Sequence, residues 1–153
     1  QYELKSINNG YLKQEKNLTK INKRNIFCVS SKKANLKQID DLVFAIKVSK
    51  HIKSNAIVLV KNLQTIGIGS GQMSRIDSTI LALLKSKNNP LNKKFVAASD
   101  AFFPFNDSAK LLIKNDCVGI IQPFGSINDQ NMIKLANLKK IALYFTKNRF
   151  FKH

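Results

Sequence analysis

From Asn35 onward two hydrophobic periods alternate along the chain, and this alternation limits the possible folds more than any other feature. Leu36, Ile39, Leu42, Val43 and Ile46 recur at three and four residues, the stripe of an amphipathic helix that reaches about His51, with Asn35 as its N-cap. Residues 56–60 (Ala-Ile-Val-Leu-Val) form a short unbroken apolar run, as a buried strand would. Residues 61–64 read as a turn into a second strand over 65–69, making a hairpin. Met73, Ile76, Ile80, Leu83 and Leu84 return to helical spacing and stop before Asn88-Asn89-Pro90. The pattern continues as a strand over 95–98, a helix over 108–114 capped by Asp107, and a strand over 118–121. After a turn at 123–125 come a helix near 129–137 and a strand over 141–145. Strands that alternate with helices in this way predict a three-layer α/β/α domain over residues 35–153. Residues 1–34 are a polar lead-in, interrupted by Asn8-Asn9-Gly10, with strand-like pieces at Tyr11-Leu12 and over 26–29.

A chain of 153 residues with 44% hydrophobic content supports one core. Its apolar runs are far shorter than the roughly 20 residues a membrane helix needs, which excludes a helical membrane span. The opening Gln1-Tyr2-Glu3 carries neither an initiator Met nor a secretory pattern, so a cytoplasmic protein cut from a longer chain is expected. Cys28 and Cys117 stand far apart with no metal-ligand spacing around them, so zinc is not expected and buried free thiols are. The formal charge of +17, from 26 Lys and Arg against 9 Asp and Glu, suits anionic ligands in general. The lysines are dispersed among many asparagines, Trp is absent, and no nucleic-acid motif emerges, so nucleic-acid binding is the alternative and not the first reading.

Three constellations carry chemical potential. Gly67, Gly69 and Gly71 precede a helix whose free N–H groups could hold an anion, although their spacing matches neither nucleotide-binding fingerprint. Arg75, on the first turn of that helix, could clamp a phosphate or carboxylate with two N–H groups, or could sit exposed at the surface. The loop Phe102-Phe103-Pro104-Phe105 offers flat apolar faces for a planar heterocycle, with Asp107 to accept from ring N–H groups; plugging of the core by these phenylalanines is the competing reading. The closing Arg149-Phe150-Phe151-Lys152-His153 combines a cation with aromatic rings, as a docked terminus would. No nucleophile–base set or catalytic carboxylate pair can be assembled, so these residues describe an anion-and-ring-binding α/β domain without naming a reaction.

Four ordered motifs add a resemblance. Lys53-Ser54-Asn55-Ala56-Ile57, then Thr65-Ile66-Gly67-Ile68-Gly69-Ser70-Gly71-Gln72-Met73-Ser74-Arg75, then Ser99-Asp100-Ala101-Phe102-Phe103-Pro104-Phe105, and Gln122-Pro123 with Gly125-Ser126 closely resemble the AICAR transformylase region of bifunctional purine biosynthesis proteins. The resemblance covers nearly the whole chain. It implies the C-terminal half of a transformylase with a cytidine-deaminase-like fold, the second copy of a duplicated unit.

The reaction implied is transfer of a formyl group from 10-formyltetrahydrofolate to AICAR, in a cytoplasmic homodimer whose site is shared between subunits. By the same resemblance Asn55 is the catalytic residue, and Arg75, Ile76, Phe102, Phe105 and Asp107 hold folate. Arg149 and Phe151 contact the nucleotide, while Ser54 and Asp100 help coordinate a structural potassium ion. The family's catalytic Lys-His pair belongs to an upstream segment, so the isolated chain is expected to be weakly active or inactive. Lys50-His51 is read as structural or exposed. Asn106 stands where the family usually has arginine, Phe124 where it has a small residue, and Ser70 where it has alanine.

Overall fold

The computed structural model of the protein describes residues 2–15 and 21–147. Its main body is a mixed six-stranded sheet of order β3-β8-β7-β6-β4-β5. Here β3 is Ile26–Cys28, β4 Ile57–Lys61, β5 Gln64–Gly69, β6 Phe95–Ser99, β7 Cys117–Pro123 and β8 Ala142–Thr146. Strands β6, β7 and β8 run parallel, whereas β4 is antiparallel to both β5 and β6, and β3 is antiparallel to β8. Four helices connect them: α1 Leu36–Ser49, α2 Arg75–Ser86, α3 Asp107–Lys114 and α4 Asp129–Leu138.

Successive residues of a strand point to opposite faces, and both faces of this sheet are apolar. Val58, Val60, Val96, Ala98 and Ile121 face α1 through its Leu42, Ala45 and Ile46. Ile57, Leu59, Phe95, Ala97, Ile120 and Leu143 face the other way, where Ala82 of α2, Leu112 of α3 and Met132 of α4 cover them. The result is the expected three layers, one helix on one side and three on the other.

The Asn35 cap is present: its side chain accepts from Gln38 N, and Gln38 bonds back to Asn35 N, closing a capping box. The expectation for Asp107 needs correction. Asp107 is the first residue of α3, Asn106 occupies the N-cap position, and Asp107 Oδ1 accepts from Ser108 N at 2.7 Å. An acidic residue is favoured there by the partial positive charge of a helix start even when it does not cap.

Gly67 and Gly69 also behave differently from the sequence reading. Both lie inside β5, where a Cβ would run into the Ala82 and Ser78 carbonyls of α2. They permit the helix to lie close on the strand, and only Gly71, at φ +65°, serves the connection.

The turn between β4 and β5 is held from below. Asn62 and Leu63 both have positive φ, the conformation of a two-residue hairpin turn, which a leucine tolerates poorly. Buried Asp41 of α1 accepts from Asn62 N at 3.0 Å and from Leu63 N at 2.6 Å.

The lead-in contains more order than its sequence suggests. β1 (Tyr2–Ile7) and β2 (Gly10–Glu15) form a separate antiparallel hairpin, with Asn9 at φ 65° ahead of Gly10. The two-residue loop is Asn8-Asn9, a residue type that turns favour, and the signal is hidden here by flanks that bury nothing.

Two outcomes follow from this packing. Asp41→Ala, which strips both turn N–H groups of their acceptor, lowers stability by about 1–3 kcal/mol in urea denaturation. Burial pushes the Cys117 thiol from 9.0 up to about 12, while Cys28 is half-buried. A maleimide at pH 8 therefore labels Cys28 and leaves Cys117 untouched until the chain unfolds. The Cys117 contribution to stability is complete below pH 9 and is lost as pH rises toward 12, because only the unfolded thiol ionises in that window.

Candidate functional site

β5, β6, β7 and β8 all end, and β4 begins, at one edge of the sheet, because β4 runs antiparallel to its neighbours. Several connections therefore meet there: residues 53–56 before β4, 70–74 before α2, and 100–106 before α3. A cleft of about 360 Å³ opens between them, lined by Asn55, Arg75, Ile76, Pro104, Phe105 and Asp107.

Asp100 organises this edge. It is fully buried, its Oδ2 accepts from Ser54 Oγ at 2.5 Å, and its Oδ1 accepts from Ala56 N at 3.2 Å and Arg75 Nη2 at 3.0 Å. Arg75 Nη1 donates onward to the Phe102 carbonyl at 3.3 Å, and its side chain is only 10% exposed. The guanidinium thus ties α2 to the start of the phenylalanine loop. Arg75 is therefore not an exposed surface arginine: its two terminal nitrogens donate to protein oxygens, and its Nε is buried with no partner among the described residues. Arg75 forms part of the cleft wall.

The phenylalanine loop divides between the core and the cleft. Phe103 is fully buried among Leu112, Ile120 and Met132 and plugs the core. Phe105 is 70% exposed, lines the cleft beside Pro104, and presents a free ring face. Phe102 is half-buried, and its carbonyl is the Arg75 acceptor.

Asn55 is held with one orientation. Its Nδ2 donates to the carbonyls of Gln72 at 2.9 Å and Met73 at 3.3 Å, and its own carbonyl accepts from Ser78 Oγ at 2.8 Å. With the amide nitrogen committed to the loop before α2, Oδ1 is the acceptor the side chain offers to the cleft; no described residue donates to it. Ser78 escaped the sequence reading, although a serine on the buried face of an amphipathic helix, four residues after the Ser74 cap, is a legible signal.

Ser54 and Asp100 come together as the resemblance implied, but they bond to each other and Asp100 is neutralised by Arg75. Ser54 Oγ keeps its lone pairs while donating to Asp100, so the pair remains able to offer oxygen to a cation. Among the described residues no group of three or more His, Cys, Asp or Glu converges. His51 is exposed.

Asn106 Oδ1 accepts from Asn128 Nδ2 at 3.1 Å, which links the folate-loop candidate to the turn before α4. That turn is drawn around Asp129, whose Oδ2 accepts from Gly125 N and Ser126 N. Phe124 packs edge-on against Phe27 of β3, with ring centres 6.2 Å apart. Arg149 and Phe151 lie outside the described residues. Asn55 and the phenylalanine–proline loop, far apart in sequence, share one cleft.

Residues 1–85 match the family model described as AICARFT/IMPCHase bienzyme. The bifunctional purine biosynthesis protein PurH of Buchnera aphidicola subsp. Baizongia pistaciae is 47% identical over 152 residues, 99% of this chain and 29% of that protein. The PurH proteins of Aquifex aeolicus and Natranaerobius thermophilus are 43% and 46% identical, again over 99% of this chain and 30% and 29% of their own length. This chain therefore spans under a third of the relatives it matches. With more than half of its residues inside the family model, the chain belongs to the AICARFT/IMPCHase bienzyme family.

Proposed function

We propose that the chain forms the folate side of an AICAR transformylase site in purine biosynthesis, as the second cytidine-deaminase-like copy of that domain. The carrying observation is the cleft itself. Asn55, Arg75, Ile76, Phe105 and Asp107, five residues singled out in the sequence by their chemistry or by the motif resemblance, line one space of about 360 Å³. That volume is of the size small-molecule pockets usually have.

In the reaction the 5-amino nitrogen of AICAR attacks the formyl carbon of 10-formyltetrahydrofolate. The amine loses a proton, the N10–formyl bond breaks, and N10 gains a proton. Asn55 Oδ1 accepts an N–H of the amine and so aims the nitrogen lone pair at the formyl carbon. The exposed ring of Phe105 with Pro104 supports the flat pterin, and the Asp107 carboxylate accepts from its ring N–H groups. Arg75 is a positioning residue that holds the phenylalanine loop through Asp100 and the Phe102 carbonyl. Arg149 and Phe151 are assigned to the nucleotide. Proton transfer belongs to a Lys-His pair supplied by another part of the enzyme, in a site shared within a cytoplasmic homodimer.

Direct titration with 10-formyltetrahydrofolate tests this reading in the intact chain. Phe105→Ala and Asp107→Ala each weaken binding about tenfold or more. A chain that binds no folate, or whose affinity ignores both changes, rules it out. In the complete enzyme, Asn55→Ala lowers kcat about a hundredfold or more with folate affinity unchanged. Arg75→Met, which leaves buried Asp100 without its cation, destabilises the fold by about 3–5 kcal/mol in denaturant titration. Combining it with Asp100→Asn recovers part of that loss, because the uncompensated charge is gone.

A further inference from the structure

The stretch that carries Phe105 is tied down on both sides of it. Ahead of it, Arg75 bonds the Phe102 carbonyl and Phe103 sinks into the core. Pro104 has no N–H and, like Phe105, is exposed, so burial does not fix where the Phe105 ring lies. Its position depends on what holds the residues around it.

The tie on the far side is made by two asparagines that forgo their usual role. Asparagine at an N-cap normally accepts from an N–H of its own helix, as Asn35 does for α1 from an extended backbone. Asn106 and Asn128 stand at the N-cap positions of α3 and α4, yet at φ −84°, ψ 0° and φ −85°, ψ 0° neither side chain caps its helix. They bond each other, Asn128 Nδ2 donating to Asn106 Oδ1 at 3.1 Å. Asn131 Nδ2 donates to Asn128 Oδ1 at 2.9 Å, which turns the Asn128 amide nitrogen toward Asn106. A second tie runs beside the first. Buried Gln122 accepts from Phe103 N at 3.4 Å and donates to Asp129 Oδ1 at 3.4 Å, and Asp129 Oδ2 holds the Gly125 and Ser126 N–H groups. The turn before α4 therefore grips the loop at Phe103 and at Asn106, on either side of Phe105.

We infer that the Asn106–Asn128 pair is a clasp that positions the Phe105 ring for the ligand of the cleft, which makes Asn128 a positioning residue of a site it does not line. The inference rests on the folate reading of that cleft. Two helix caps are given up for one bond between connections, an exchange that helix stability alone does not favour. What the exchange achieves is a loop held in one place before the ligand arrives, and a ring that is already ordered loses less freedom on binding. Asn106 lies between Phe105 and Asp107, so the same bond sets the spacing of the aromatic face and the carboxylate assigned to the pterin.

Titration of the intact chain with 10-formyltetrahydrofolate, together with fluorine NMR of a single para-fluorophenylalanine placed at Phe105, tests the clasp. Both asparagines are half-buried and lie outside the two cores, so their variants keep the fold and its urea midpoint. Asn106→Ala and Asn128→Ala break the same bond, so each weakens folate binding about fivefold and the double variant also about fivefold, where independent contacts would multiply. Asn106→Asp keeps the acceptor and keeps the affinity within about twofold. In a Phe105→Ala background Asn128→Ala has no further effect, because the ring it positions is gone. Without ligand, the fluorine resonance of the Asn128→Ala chain moves toward its unfolded-chain position. An unmoved resonance, or a double variant whose loss is the product of the two singles, overturns the clasp. A parent chain that binds no folate while the resonance still moves overturns the folate reading and leaves the hold on Phe105 standing.

Discussion

The candidate site depends on a buried ion pair whose partners come from different elements, Arg75 at the start of α2 and Asp100 just after β6. A buried carboxylate is costly unless it is paired and hydrogen-bonded, and Asp100 has a guanidinium, a hydroxyl and a backbone N–H. Those donors tie two pieces of chain to Asp100: α2 through Arg75, and the segment leading into β4 through Ser54 and Ala56. The same guanidinium reaches the Phe102 carbonyl, so the arrangement that neutralises the charge also fixes where Phe105 leaves the loop. A network that is fully satisfied on the Asp100 side favours one loop geometry over many.

That network requires α2 to begin at the right place, and the glycines of β5 arrange this. Because Gly67 and Gly69 have no side chains, α2 lies directly on the strand, with Ser78 close enough to bond the Asn55 carbonyl. Asn55 is then gripped from both ends: Ser78 holds its backbone, and the Gln72 and Met73 carbonyls hold its amide. What reads in one dimension as a glycine-rich anion loop is in three dimensions a close-packing seam. It positions the asparagine oxygen.

This difference shows what can be read from sequence alone. Periodicity located every helix and strand of the main sheet within a few residues, because both sheet faces are covered and each apolar position has one place to go. Phe103 and Phe105 looked equivalent, since nothing local distinguishes a ring that fills the core from one that faces a cleft two residues later. Arg75 was visible as a candidate, but its partner stands 25 residues away on another element, and a pairing at that separation leaves no local trace. The β1–β2 hairpin was obscured for the opposite reason: it packs against no helix, so its alternation carries no consistent apolar face. Residue chemistry marked Arg75, Phe105 and Asp107 and the motif resemblance added Asn55 and Ile76, whereas their arrangement around one cleft depends on long-range contacts.

The charge imbalance takes on a more specific meaning in this light. The nine acidic residues are few enough to account for individually. Asp100 joins the site network, Asp41 holds the β4–β5 turn, and Asp129 gathers the turn before α4. Asp77 bonds the Ser74 cap, Asp107 opens α3, and Asp40 pairs with Lys23. Asp116 sits at a positive φ after α3, and Glu3 and Glu15 belong to the hairpin. Most carboxylates of the main body therefore bind nearby N–H groups, hydroxyls or a cation and leave the surface lysines largely unmatched. The excess of +17 is then a diffuse field over the exterior, of the kind that draws anionic ligands by long-range attraction, whereas the buried carboxylates act at short range to fix turns and helix starts.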